Sequence, residues 1–279
     1  MEVPQNQGAR QTSLVQCNRC NLVFEEPRPP REEIEQFYSQ KELWTNSRDA
    51  EGSAHSYVDE LNVKKPLFEN LAKRIQGRKS GGRLLDVGSG PGLLELVLTK
   101  PAWEVTGVEF ASYIAEFGRQ TLHTTVLNMS FVEADLPENY YDVIVLKYVL
   151  DHMEEPFEAL TKARRLIKPD GILVVADLIN IESFCARFFR QGYRLIHPMH
   201  FTYFSPRTIQ LHLGRAGFSV TKIEFPYFST PYFTLAHLTS LAGRVLHRVA
   251  QRSSITNGER IYSAPFYGNM MDVWAAPAL

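Results

Sequence analysis

The stretch Arg83-Leu84-Leu85-Asp86-Val87-Gly88-Ser89-Gly90-Pro91-Gly92-Leu93-Leu94 carries the densest chemistry in the chain. An apolar strand (Leu84, Leu85, Val87) runs into a turn with glycine at 88, 90 and 92, and an apolar run from Leu93 to Leu98 opens a helix. Glycines in a strand-to-helix turn let the backbone take positive φ and let a ligand approach closely. The helix behind the turn offers free N–H groups and the positive end of its dipole, so the turn suits a nucleotide-like ligand. A dinucleotide fingerprint needs its third glycine at 93, where Leu93 stands. Asp86, just inside the strand end, would repel a pyrophosphate and attract a cationic amino group. A second carboxylate, Glu109, ends the expected second strand, 104–108. It follows Asp86 by about twenty residues, the separation a βαβ unit gives. At a strand tip it can accept both hydroxyls of a ribose. Lys147 and Tyr148 end the apolar run that starts at Tyr141, at the sheet rim where open α/β folds bind ligands.

Leu85 to Gly92 resembles the first motif of the class I S-adenosylmethionine-dependent methyltransferases. Val105-Thr106-Gly107-Val108-Glu109, the Lys168-Pro169-Asp170-Gly171 turn and the strand 172–176 are similar to further motifs of that family, in the right order. The resemblance covers residues 82–225 and the flanks only loosely. It implies S-adenosyl-L-methionine as cofactor, held by Asp86, Gly88, Ser89, Gly90, Gly92, Glu109, Phe110, Lys147 and Tyr148. It also assigns Asp135 to the adenine amino group and the backbone N–H of Leu136 to the ring. Two histidines are catalytic candidates by the same resemblance. His152 belongs to an Asp-His pair behind the fourth strand. His200 opens a segment, 200–217, like the H-x-x-x-F-S segment of small-molecule and sugar methyltransferases. A histidine near its ordinary pKa can deprotonate a hydroxyl, and His200 either does so or braces its loop. His197 is the weaker choice. The implied reaction is methyl transfer to a small molecule, at oxygen. No N-P-P-Y-like tetrapeptide follows the fourth strand, which argues against amide or base nitrogen. The rival readings are a nicotinamide-dependent oxidoreductase and a non-catalytic partner subunit that keeps the fold.

These residues need a Rossmann-like α/β sheet of seven strands with helices on both faces and an antiparallel last strand, expected at the edge. Strands are expected at 84–87, 104–108, within 125–132, at 141–147, 172–176, 218–224 and 267–275. Ser205-Pro206 starts a helix over 207–216, serine capping and proline at the first helical position. Residues 1–81 read as a polar start, a hairpin around Cys17-Asn18-Arg19-Cys20, and a helical cap in which Pro66 interrupts or restarts a helix. Residues 226–279 read as a helical insertion and the final strand. The insertion's stripe of Leu235, Leu238, Leu241 and Val245 reads as core, with a substrate lid or a homodimer face left open. Ser253 to Glu259 reads as a polar loop.

The chain has 279 residues, 44% apolar, with a net charge of −1. That balance implies no bulk attraction to nucleic acid or to a membrane surface. No apolar run reaches the roughly 18 residues of a membrane span. Three cysteines make no disulfide framework, so a reducing, cytoplasmic setting is the expectation. The Cys17/Cys20 pair lacks the second pair a structural zinc needs, and no metal ligand set is assigned. The expected partner is a small-molecule acceptor.

Overall fold

The computed structural model describes residues 13–48, 54–98, 101–196, 199–228, 230, 233–251 and 261–278. His197, the polar start before residue 13 and the polar loop 253–259 lie outside the described residues. Strands β1 (Ser13–Gln16) and β2 (Val23–Glu26) form the antiparallel hairpin around Cys17 and Cys20. Helices α1 (Arg31–Ser39) and α2 (Lys41–Thr45), the short pair β3 (Ser47–Arg48) and β4 (Ala54–His55), and helix α3 (Leu61–Gln76) follow. Pro66 lies inside α3 and does not break it. The burial of Leu71 and Ile75 on this helix, about 1.5–3 kcal/mol each, offsets the roughly 3 kcal/mol that a mid-helix proline costs.

The remaining elements run in chain order. They are β5 (Gly82–Val87), α4 (Leu93–Val97), β6 (Trp103–Glu109), α5 (Ser112–Phe117), β7 (Val126–Asn128), β8 (Tyr141–Lys147), α6 (Pro156–Leu166) and β9 (Ile167–Ile179). Then come α7 (Phe184–Phe189), β10 (Thr202–Tyr203), α8 (Pro206–Arg215), β11 (Phe218–Glu224), α9 (Leu235–Gln251) and β12 (Met270–Pro277). Seven strands make one sheet in the order β11-β12-β9-β8-β5-β6-β7. Pairs β5–β6, β5–β8, β6–β7 and β8–β9 are parallel. The last strand is antiparallel, but it is not at the edge: β12 lies between β9 and β11 and is antiparallel to both. Its sequence explains the position. Met271, Val273, Trp274 and Ala275 are all buried, so both faces need cover, as for an interior strand.

Side chains alternate across the strands. Leu85, Val87, Ile144, Leu146, Leu173 and Val175 pack against α6 and α8 on one face. Leu84, Val143, Val145, Val174 and Trp274 pack against α3 and α4 on the other. Arg74 of α3 ties the far end of the sheet, donating to Glu224 Oε2 at 2.6 Å and to Asp272, while Trp274 Nε1 donates to the same Glu224 oxygen at 2.8 Å. These donors and Lys222 hold the Glu224 carboxyl down to about 2 against the cost of its burial.

The hairpin docks on the sheet's ligand side. Strand β2 pairs with β10, and Glu25 N–H donates to the Phe201 carbonyl at 2.9 Å. The leader therefore fixes the segment next to His200. Helix α8 starts at Ser205 with a reciprocal cap between Ser205 and Thr208. On α9 the expected apolar stripe is split. Leu241 is buried and Val245 packs beside it, whereas Leu235 is 77% exposed. Leu235 is the first residue of α9, beyond the surface the helix covers. Among the described residues no helix is long and apolar enough to cross a membrane.

Candidate active site

The β5 and β6 tips set the two carboxylates. Gly88, Gly90 and Gly92 all take positive φ in the turn after β5. Gly90, at φ +55°, is the informative one: an added Cβ would meet nothing closer than the Tyr57 hydroxyl at 3.4 Å. A side chain there would stand in the cavity. Gly92 instead faces inward, where a Cβ would come within 2.8 Å of Thr124, and it does not line the cavity. Its part is to start α4.

Asp86 is buried and its Oδ2 has no hydrogen-bond partner. Burial pushes its carboxyl up to about 7, with Lys147 pulling it down and Glu109 pushing it further up. A buried carboxylate with an unsatisfied oxygen is an expensive arrangement that a cationic donor would relieve. Glu109 Oε2 accepts from Gly90 N–H and Oε1 from Ala111 N–H, both at 2.8 Å. Burial raises its pKa, opposed by the N–H groups of Ala111, Gly90 and Phe110. These bonds leave lone-pair capacity on the carboxylate for a further donor. Ser89 and Phe110 line the same cavity.

Asp135 and Leu136 do not reach this cavity. The third strand ends at Asn128, and Asp135 lies exposed beyond the turn that follows it. Met129, Ser130, Phe131, Val132 and Glu133 take the position instead. The early end of β7 is the reason: residues directly after it meet the β6 tip, and Ala134 N–H turns back to the Ser130 carbonyl at 2.9 Å. Glu133 pairs with Arg31 of α1 at 2.5 Å, which joins the helical leader to this loop. Sequence reasoning singled out neither residue, because their pairing joins segments far apart in the chain. Tyr38 and Tyr57 do face the cavity, and burial raises the pKa of both hydroxyls.

The β8 tip builds a further part of the site. Lys147 is ion-paired with Asp177 and lies 4.9 Å from the Phe68 ring centre. Tyr148 takes φ +55° and is 43% exposed toward the cavity. The next turn carries Asp151 and His152. His152 Nδ1 lies 2.8 Å from the Met199 carbonyl and 3.0 Å from the Tyr38 hydroxyl. Burial lowers its pKa to about 4, with the Met199 contact acting the other way, so the imidazole is neutral at physiological pH. His200 Nδ1 lies 3.1 Å from the Leu195 carbonyl, and its ring centre is 4.2 Å from that of His152. The backbone brings the two together: Phe201 N–H donates to the Asp151 carbonyl at 2.8 Å. His200 is thus both loop-bound and cavity-lining.

Asp86, Gly90, Glu109, Lys147, Tyr148, His152 and His200 line one cavity of about 1050 Å³. Met199, Pro226, Tyr227, Phe266 and Met270 add apolar wall to it. A pocket of this size and lining takes a small, largely apolar molecule. Residues 59–223 match a family model described as a methyltransferase domain. The chain belongs to this family.

Its methyl donor is S-adenosyl-L-methionine, and the lining fits that group. The unsatisfied Asp86 oxygen meets a cationic amino group, Glu109 retains capacity for ribose hydroxyls, and the space over Gly90 admits a ligand. The methyltransferase relatives include a ubiquinone biosynthesis O-methyltransferase of Haemophilus ducreyi, 26% identical over 46% of this chain and 61% of that one. Another is a ubiquinone/menaquinone biosynthesis C-methyltransferase of Pseudomonas paraeruginosa, 28% identical over 42% of this chain and 50% of that one. The chain thus spans between half and two thirds of these relatives' lengths. Among solved structures, magnesium protoporphyrin IX methyltransferase from Synechocystis, with S-adenosylhomocysteine bound, superposes with TM-score 0.55 at 12% identity. That match covers 89% of this chain and all of that one. At such identity the likeness concerns the fold.

Proposed function

We propose that this methyltransferase moves a methyl group from S-adenosyl-L-methionine to a hydroxyl oxygen of a small, mostly apolar acceptor. The observation that carries the reading is that one cavity is lined both by the Asp86 and Glu109 carboxylates and by the adjoining His152–His200 pair. The cofactor, when bound, supplies a methyl group on a sulfonium sulfur, an electrophile that needs little covalent help. The rest of the work is positioning. Asp86 neutralises the amino group, Glu109 accepts from the ribose, and the wall of Tyr38, Phe110 and Tyr148 keeps water from the transfer path. His152 and His200 mark where the acceptor hydroxyl is activated, which matters most for an unactivated alcohol. On this reading Tyr38 and Tyr57 from the N-terminal part and Tyr227, Phe266 and Met270 from the C-terminal part help close the cavity of the 82–225 domain. The two ubiquinone-pathway relatives support an aromatic, quinone-like acceptor class.

Calorimetric titration with S-adenosyl-L-methionine and with NADH tests the cofactor half. The donor should bind, NADH should not, and Glu109→Ala should weaken the donor at least about tenfold through lost charge-assisted hydrogen bonds. NADH binding in place of the donor would overturn the reading. Transfer of a labelled methyl to a panel of phenols and hydroquinones tests the acceptor half.

A further inference from the structure

Asp151 is the group the methyl-transfer reading leaves without a task. Its side chain is fully buried and neither carboxylate oxygen has a hydrogen-bond partner. A buried carboxylate stripped of every donor costs several kcal/mol unless a counter-charge or a proton sits with it. Among the described residues no lysine or arginine pairs with it. What lies beside it are two imidazoles: one ligand atom from each of Asp151, His152 and His200 falls within 4.8 Å of the others. Among the described residues no other group of three such side chains converges in this way.

The Nδ1 atoms of both histidines lie against backbone carbonyls. Nδ1 of His152 faces the Met199 carbonyl, with the Tyr38 oxygen also in reach, and Nδ1 of His200 faces the Leu195 carbonyl. An Nδ1–H directed at a carbonyl fixes the tautomer whose Nε2 holds a lone pair, the usual outer-shell arrangement around metal-bound histidine. We propose that Asp151, His152 and His200 form a binding site for one first-row divalent cation at the cavity wall. Two imidazoles and one carboxylate suit zinc, iron(II) or cobalt(II) better than the all-oxygen shells of magnesium or calcium. Three protein ligands leave positions open toward the cavity, whose lining includes both histidines. A cation there would take the acceptor's oxygen as a further ligand and make its hydroxyl more acidic. An acceptor with two adjacent oxygens would gain most. The site does not depend on methyl transfer for its existence.

The test titrates cobalt(II) into chelator-stripped full-length protein carrying Cys17→Ser and Cys20→Ser, so that this half-buried pair does not contribute. Visible d–d absorption and elemental analysis should report one equivalent, without thiolate charge-transfer bands. Asp151→Asn and His200→Gln should each weaken binding at least about tenfold, the lower end of what disturbing a metal's surroundings costs. Metal-free Asp151→Asn should melt no lower than its parent, because it loses an uncompensated buried charge; that keeps a binding loss distinct from misfolding. Absence of bound cobalt, or binding in both variants as tight as in the parent, would overturn the proposal. Titration of S-adenosyl-L-methionine into the same variants separates this outcome from the fate of the methyl-donor assignment.

Discussion

Replacing Asp86 with asparagine should make the ligand-free protein more stable and a poorer binder of its cofactor. The reasoning starts from burial. The Asp86 carboxyl rises from an ordinary 3.8 to about 7, chiefly because it is removed from water, with Lys147 only partly opposing this. The folded state therefore holds a proton that the unfolded chain has released between about pH 4 and 7, and stability falls as pH rises through that window. At about 1.36 kcal/mol per unit, ionised Asp86 destabilises the ligand-free fold by about 4 kcal/mol at pH 7 and about 2 kcal/mol at pH 5. Asp86→Asn removes that charge with little change of shape. Urea denaturation without ligand should show a clear gain at pH 7 and a smaller one at pH 5. Calorimetry should show the opposite sign for S-adenosyl-L-methionine. Loss of one charge-assisted hydrogen bond, about 1.5–3 kcal/mol, weakens binding about 10- to 150-fold. A variant that is less stable at pH 7, or that binds the cofactor as well as the parent, refutes the argument.

Other perturbations read separate parts of the site. Gly90→Val places a branched side chain where only the Tyr57 hydroxyl stands nearby, at a φ of +55°; cofactor affinity should fall at least about tenfold, and unchanged affinity would put the ligand elsewhere. His200→Gln should lower kcat by at least about tenfold while cofactor affinity stays within about twofold of the parent; unaltered turnover would leave His200 as a loop brace. Arg74→Met strips the buried Asp272 of its cation and leaves the half-buried Glu224 with Lys222 as its remaining cation; it should cost about 3–5 kcal/mol in urea denaturation, a loss that Asp272→Asn in the same chain should partly restore.

What could be read from the chain depended on how local the cause was. Strand β8 was legible because Tyr141 to Lys147 is a nearly unbroken apolar run, and β11 because Gly217 and the helix before it bound it sharply. Glu109 was legible because its spacing from Asp86 follows from one βαβ unit, and in the structure it sits one hydrogen bond from Gly90. Asp135 was misplaced because β7 is three residues long and offers no periodicity to count from, so the acid expected at its tip lies beyond a turn. The Glu133–Arg31 pair and the meeting of Asp151 with His200 had no local signal. Each is made by segments that only folding brings together, the second through the Phe201–Asp151 backbone bond. The interior place of β12 was written in its doubly apolar sequence, but the edge expectation hid it.

The most direct measurement is a crystal structure with S-adenosylhomocysteine. The account predicts its amino group within hydrogen-bond distance of Asp86, its ribose hydroxyls on Glu109, and its sulfur turned toward Tyr148 and the two histidines. A sugar bound away from Glu109, or a purine lying among Met199, Tyr227 and Phe266, would contradict it.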